Sequence, residues 1–184
     1  MTIQVVDLTG ENVDEAPEWA GHPSSCKYCL YWEDPQESTA SAPSGTGKSL
    51  QRKRAWLDRT RVDWGPCGKL LYVDRQPIGY AQYAPPKYLP GAAGYPAGPP
   101  SEDAVLVSCL FVPDREFRGL GLGYELLRTI LGELRGRRVN AVETFTRRGS
   151  AENPSGPLGF YVRHGFRIFK DDREFPLVRL ALAD

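Results

Sequence analysis

The stretch from Ala104 to Leu131, AVLVSCLFVPDREFRGLGLGYELLRTIL, constrains this chain most. Ala104 to Val112 is apolar except for Ser108, and Pro113, Asp114, Arg115 and Glu116 break the run. Arg118 to Gly123 (RGLGLG) follows, and then Leu126, Leu127, Ile130, Leu131 and Leu134 recur at spacings of three and four. A short apolar run ended by a turn fits a buried strand, and the later spacing fits an amphipathic helix. The unit is therefore strand, turn, glycine loop, helix.

The chemistry of such a unit is anion binding. A helix start leaves backbone N–H groups without partners and carries partial positive charge. Gly119, Gly121 and Gly123 lack a Cβ, so phosphates could approach the backbone, and Arg118 could pair with a phosphate oxygen. The competing reading is a plain turn whose glycines serve packing.

Two phosphate-loop patterns are excluded. Glycines at 119, 121 and 123 read G-x-G-x-G, not the G-x-G-x-x-G of dinucleotide folds, and no strand–helix repeat follows. Ala42 to Ser49 (APSGTGKS) matches a relaxed P-loop, but Glu33 to Ser41 before it is polar, contains Pro35 and cannot be a core strand. Residues 34–49 read instead as a flexible linker.

With 184 residues the chain reads as one domain spanning 1–184. Formal net charge is zero, so no broad field favours nucleic acid or an anionic membrane. No apolar run approaches the roughly 18 residues of a membrane span, and the N-terminus has no signal pattern, so a cytoplasmic protein is expected. The 19 glycines and 16 prolines concentrate in loops.

Ile3 to Leu8 reads as a first strand, and residues 9–25 carry little periodicity. Cys26 and Cys29 form a C-x-x-C pair with three competing readings. They could hold zinc with His22 and Cys67, act as a redox pair, or pack beside Tyr28, Tyr31 and Trp32. Cys109 lies in the apolar strand, and four thiols without a framework suit a reducing compartment. Ser49 to Trp64 reads as a surface helix capped by Ser49, with Arg52, Lys53 and Arg54 on a solvated face.

Lys69 to Asp74 and Pro77 to Tyr83 read as a hairpin around Arg75-Gln76. Residues 84–103 are too proline-dense for strand or helix, and a loop this long is either a lid or a mobile segment. Tyr83, Tyr88 and Tyr95 are its candidate contacts. Val139 to Phe145 reads as a strand, Pro157 to His164 as a short helix, and Phe166 to Phe169 and Phe175 to Leu182 as closing strands. The sum is a mixed α/β sheet of about seven strands.

Arg118-x-x-Gly121-x-Gly123 after an apolar strand resembles motif A of the GNAT superfamily of N-acetyltransferases. Gly159 to Phe166 (GFYVRHGF) resembles its motif B, an aromatic pair before a terminal Gly-Phe. The resemblance is good from about Lys69 to Leu182. It implies the GNAT fold, with a mostly antiparallel sheet, splayed central strands and an acetyl-CoA-binding core over 104–166. It also implies direct acetyl transfer from acetyl-CoA to a primary amine of a small molecule or peptide, with no metal required and a homodimer allowed.

On this chain the resemblance assigns Leu110, Phe111 and Val112 to the pantetheine. It assigns the backbone of Arg118, Gly119, Leu120, Gly121, Leu122 and Gly123 to the pyrophosphate, and Asn153 to the coenzyme arm. Tyr161 matches the motif B tyrosine that protonates the leaving thiolate, with a plain core aromatic as its alternative. Val105 to Cys109 holds no carboxylate, so Glu143 on the next strand is the first candidate base, ahead of Glu102, Asp103 and Glu33. A backbone N–H near Cys109 or Leu110 could serve the carbonyl oxygen. The alternative functions are a coenzyme-A-binding regulator without turnover, or a zinc or thiol module built on Cys26 and Cys29.

Overall fold

The computed structural model describes residues 1–19, 25–38, 46–149 and 155–182. Among them seven strands form one sheet in the order β1-β2-β3-β4-β5-β7-β6. These are β1 (Ile3–Asp7), β2 (Gly68–Val73), β3 (Gln76–Ala84), β4 (Ala104–Phe111), β5 (Ala141–Phe145), β6 (Arg167–Lys170) and β7 (Leu177–Ala181). All neighbours are antiparallel except β4 and β5. No helix among the described residues is long and apolar enough to cross a membrane.

The apolar run becomes β4, buried along its whole length because both faces of the sheet are covered. One face carries α3 (Leu122–Gly136), which buries Leu122, Leu126, Leu127, Ile130, Leu131 and Leu134. Each such side chain contributes about 1.5–3 kcal/mol on burial. With α4 (Leu158–Arg163) it covers Val105, Val107 and Leu110 of β4. The other face packs Leu106, Cys109 and Phe111 against Trp19, Cys26, Trp32, Leu89 and the Trp56 and Leu57 side chains of α2 (Thr46–Asp63).

That assignment contains a phase change. Strict alternation would put 106, 108 and 110 on one face, yet Leu106 shares a face with Cys109 and Phe111. The extra residue is Ser108, because Gln82 pairs with Cys109 and Tyr83 with Val107. A β-bulge inserts one residue, bends its strand and reverses the facing of the residues beyond it. The Ser108 hydroxyl donates to the Gln82 carbonyl at 3.2 Å.

The β2–β3 hairpin turns at Asp74 and Arg75, both with positive φ, as a two-residue turn requires. Several sequence expectations change. The 34–49 linker contains the short helix α1 (Pro35–Ser38) and the first turn of α2, which begins at Thr46, ahead of Ser49. Lys53 is not on a solvated face but buried, for it reaches Glu33 and Gln82 in the interior.

Residues 84–103 are not a lid lifted from the surface. They form 3₁₀ turns at Pro86–Tyr88 and Pro90–Gly94, and bury Leu89 and Ala92. Trp56 Nε1 donates to the Tyr88 carbonyl at 2.8 Å, and Gly91 N–H donates to the Trp32 carbonyl at 2.9 Å. Tyr95 packs against Phe145 and Trp32, with ring centroids 4.3 and 5.1 Å away. Tyr83 lies in β3, and its hydroxyl donates to Glu133 at 3.0 Å. Proline density excluded regular helix and strand but said nothing about docking, which comes from these scattered contacts.

A Cβ at Gly91 would lie 2.2 Å from the Tyr31 carbonyl oxygen. Gly91→Ala is therefore expected to destabilise the protein by about 1–3 kcal/mol, the usual cost of overpacking. Chemical denaturation measures it. An unchanged midpoint would mean that the segment is not docked.

Candidate active site

The site begins where a hydrogen-bond ladder stops. β4 and β5 pair at Ala104 with Ala141, Val105 with Val142 and Leu106 with Glu143, and no further. Yet β4 continues to Phe111 and β5 to Phe145. Past Leu106 the bulged β4 stays with β3, and β5 stays with β7 as far as Phe145 with Leu177. The two parallel strands splay, and among the described residues their facing edges have no strand partner there.

A cavity of about 520 Å³ lies at the open end of this splay. Leu110, Phe111 and Val112 form one wall. Phe117, Arg118, Gly119, Gly121, Leu122, Gly123 and Tyr124 form the floor. Gly156, Pro157, Phe160, Arg163 and His164 close the far side, with Trp19 opposite.

The floor is built by local geometry. Asp114 accepts from Glu116 N–H at 2.9 Å and caps the 3₁₀ turn Arg115–Phe117. Gly119 and Gly121 have φ of 78° and 80°, which a Cβ would disfavour, and Gly121 is the N-cap of α3. Among the described residues, the N–H groups from Gly119 to Tyr124 donate to no protein acceptor. They stand at the start of a 15-residue helix, where the backbone dipoles add positive potential. Such a floor can accept an anion.

The Arg118 side chain lines the cavity and is also engaged with the backbone. Its Nε donates to the Val112 carbonyl and a terminal nitrogen to the Pro113 carbonyl, both at 3.0 Å. The guanidinium thus braces the turn leaving β4. The Leu120 side chain is 55% exposed and outside the cavity lining. Asn153 lies outside the described residues. Of the ten residues assigned to the coenzyme, the remaining eight surround this cavity.

Tyr161 is wholly buried behind it, between Phe160 and Phe166, with ring centroids 5.0 and 5.2 Å away. A Cβ at Gly156 would sit 3.5 Å from its ring and 4.0 Å from the Leu110 carbonyl, so the ring lies under the cavity's edge. Its hydroxyl and the Thr144 hydroxyl beside it face only each other among the described residues, without the geometry of a full hydrogen bond. Burial pushes the phenol's pKa up, the Thr144 hydroxyl opposes this and Cys109 adds to it. At neutral pH Tyr161 holds its proton and can donate it.

Glu143, the first candidate base, is not brought to this cavity. It is buried on β5, and its Oε1 accepts from Arg179 at 2.7 Å and from the Ser101 hydroxyl at 2.7 Å. Its Oε2 accepts from Ser101 N–H at 2.8 Å. Arg179 also pairs with Asp103 at 2.7 Å, which holds the Asp103 carboxyl below its ordinary range. A carboxylate so engaged fastens residues 101–103 to β7. Glu102 is exposed.

The cysteines are free thiols: Cys26, Cys67 and Cys109 are buried and Cys29 is partly so. Burial pushes Cys29 up to about 11 and Cys67 up to about 12, so both stay protonated. Among the described residues no group of three or more His, Cys, Asp or Glu could hold a metal ion. His22 lies outside them.

Sequence reasoning missed Trp19, Phe117, Tyr124, Arg163 and His164. His164 stacks on Tyr124 with centroids 4.3 Å apart, and burial, with Arg163 beside it, lowers its pKa. The motif B helix could have flagged His164 and Arg163. Trp19 sits in an aperiodic stretch that gave no signal.

A seven-stranded sheet splayed beside a helix N-terminus defines the fold class. Structures sharing it include the N-acetyltransferase of Staphylococcus aureus Mu50, at 12% identity and TM-score 0.61, with both chains fully covered. The PaiA N-acetyltransferase of Thermoplasma acidophilum, solved in complex with coenzyme A, aligns at 10% identity and TM-score 0.59 over 98% of this chain and 99% of its own. The ribosomal-protein-S18-alanine N-acetyltransferase of Escherichia coli aligns at 14% and 0.56, over 100% and 96%. No curated protein sequence matches the chain. The profile of the Acetyltransferase (GNAT) family matches residues 18–166. The chain belongs to that family.

Because Glu143 is tied to Arg179 and Ser101, Glu143→Gln is expected to cost about 1–3 kcal/mol of stability. The turnover of the folded fraction should stay within about twofold. Thermal melts and kinetics on the same preparation check both; a large loss of kcat would return Glu143 to the reaction.

Proposed function

We propose that the protein transfers the acetyl group of acetyl-CoA to a primary amine of a small molecule or peptide, by direct attack of the amine on the thioester. The observation that carries this reading is the early end of the β4–β5 ladder beside a floor of unpaired N–H groups. Those groups, from Gly119 to Gly123, would receive the coenzyme's pyrophosphate, with Leu120 contributing only its main chain. The free edge of Leu110 to Val112 would hold the pantetheine arm much as an added strand is held. The aromatic and apolar walls suit the arm, and the cavity fits an extended ligand entering from solvent.

Transfer forms a carbon–nitrogen bond and breaks a carbon–sulfur bond. The attacking nitrogen must be uncharged, because an ammonium has no lone pair. A backbone N–H near Cys109 or Leu110 would stabilise charge on the carbonyl oxygen. Tyr161 would give its proton to the departing thiolate. Its buried and unpaired hydroxyl supports that role, since such a group is costly unless a ligand supplies its partner. Four free thiols without a disulfide agree with a reducing, cytoplasmic setting.

Tyr161→Phe separates chemistry from folding. Removing a buried unsatisfied hydroxyl should leave the melting temperature unchanged or raised. Turnover should fall by about a hundredfold, and coenzyme affinity should hold within about twofold. Calorimetry with coenzyme A and a thiol-release assay test this. An unchanged rate would remove Tyr161 from the reaction.

A further inference from the structure

A second buried carboxylate, Glu33, is held against β3. The side chains of Glu33 and Lys53 are each 2% exposed, and they form an ion pair through Glu33 Oε1. Lys53 Nζ also donates to Gln82 Oε1 at 2.9 Å, and the Tyr80 hydroxyl donates to the same oxygen at 2.7 Å. Gln82 Nε2 returns a hydrogen bond to Glu33 Oε1 at 3.0 Å. Everything in this cluster is satisfied except Glu33 Oε2, which is buried and has no partner among the described residues.

The cluster's position matters more than its strength. Gln82 is the cross-strand partner of Cys109, the residue following the bulged Ser108. Tyr80 is the partner of Phe111, with ring centroids 5.7 Å apart, and Phe111 and Trp19 stack at 5.5 Å in the cavity wall. These rings run from the cluster to the cavity wall, while Glu33 itself lines a separate pocket of about 210 Å³ with Leu30, Asp34 and Trp56. Two buried polar atoms without partners, Glu33 Oε2 and the Tyr161 hydroxyl, therefore flank β4 at Cys109 from its opposite faces. A buried ion pair adds little stability over well-packed apolar residues, so holding the fold is a weak reason for this one.

We infer that Glu33 is the acceptor-binding carboxylate, its free Oε2 receiving the primary ammonium of the substrate while Lys53 and Gln82 fix its orientation. This rests on the acetyl-transfer reading above. Glu33 takes one proton from the ammonium and exposes the nitrogen lone pair. Nitrogen then bonds to the carbonyl carbon as the carbon–sulfur bond breaks. The sulfur takes the Tyr161 proton, and Tyr161 is reprotonated by the second proton leaving nitrogen. The proton on Glu33 returns to solvent as product leaves.

The test uses the full chain, acetyl-CoA, and three amines: phenethylamine, putrescine and a peptide with a free N-terminal alanine. The unsubstituted protein should bind acetyl-CoA and release thiol with at least one of them. For that amine, Glu33→Gln should raise KM by about tenfold or more, the scale of a lost charge-assisted hydrogen bond. The Kd for acetyl-CoA should stay within about twofold, a split that general loosening of the fold would not give. Should Glu33→Gln fail to fold, the double variant Glu33→Leu, Lys53→Met removes both charges, and the same split is expected. An unchanged amine KM in either folded variant overturns the assignment. So does a protein that binds acetyl-CoA but acetylates none of the three, which leaves the coenzyme site standing. A protein that does not bind acetyl-CoA overturns the transfer reading as well.

Discussion

The site depends on the interruption of pairing between β4 and β5. Two parallel strands in the middle of a sheet ordinarily pair along their shared length, because unpaired buried backbone groups are costly. Here pairing stops at Leu106 and Glu143. The bulge at Ser108 holds β4 to β3, and the return of β7 holds β5, so neither strand can follow the other. The resulting edge is polar in its backbone and apolar in its side chains. That combination suits an extended, amide-bearing arm, and the start of α3 places uncompensated N–H groups at its mouth.

The surrounding structure braces this opening. α3 is tied to the sheet by Glu133, which receives Lys69 and, at 3.0 Å, the Tyr83 hydroxyl. The proline-rich segment is fastened by Trp56 and Gly91 at one end and by Ser101 and Asp103 at the other. On the same face the Glu33, Lys53 and Gln82 cluster braces β3 opposite the bulge. Among the described residues two buried carboxylates lie on that face, Glu143 and Glu33. The two carboxylates differ in one respect: Glu143 has both oxygens engaged, and Glu33 has one left over.

Much of this was legible in the sequence, and the reasons for the rest are specific. The apolar run, the glycine spacing and the leucine periodicity of 122–134 gave β4, the loop and α3, because each signal is local. The hairpin and the aromatic helix at 158–163 were read the same way, with small shifts of their ends. The bulge was invisible, since a single serine inside an apolar run does not announce an extra residue. Lys53 read as solvated because its partners stand 20 and 29 positions away. Glu143 drew attention as the nearest strand carboxylate, but its guanidinium partner Arg179 lies 36 positions further on. Docking of 84–103 rests on Leu89, Ala92 and Tyr95, whose fit no periodicity encodes.

The splay of β4 and β5, with the floor at the start of α3, is proposed to hold coenzyme A. Backbone amide shifts of isotope-labelled protein during titration with coenzyme A test it most directly. The amides of Gly119 to Tyr124 and of Leu110 to Val112 should move together and saturably, while those of Gly91 and Glu143 stay in place. Saturable shifts confined to other surfaces, or no shifts with a well-folded spectrum, would contradict it.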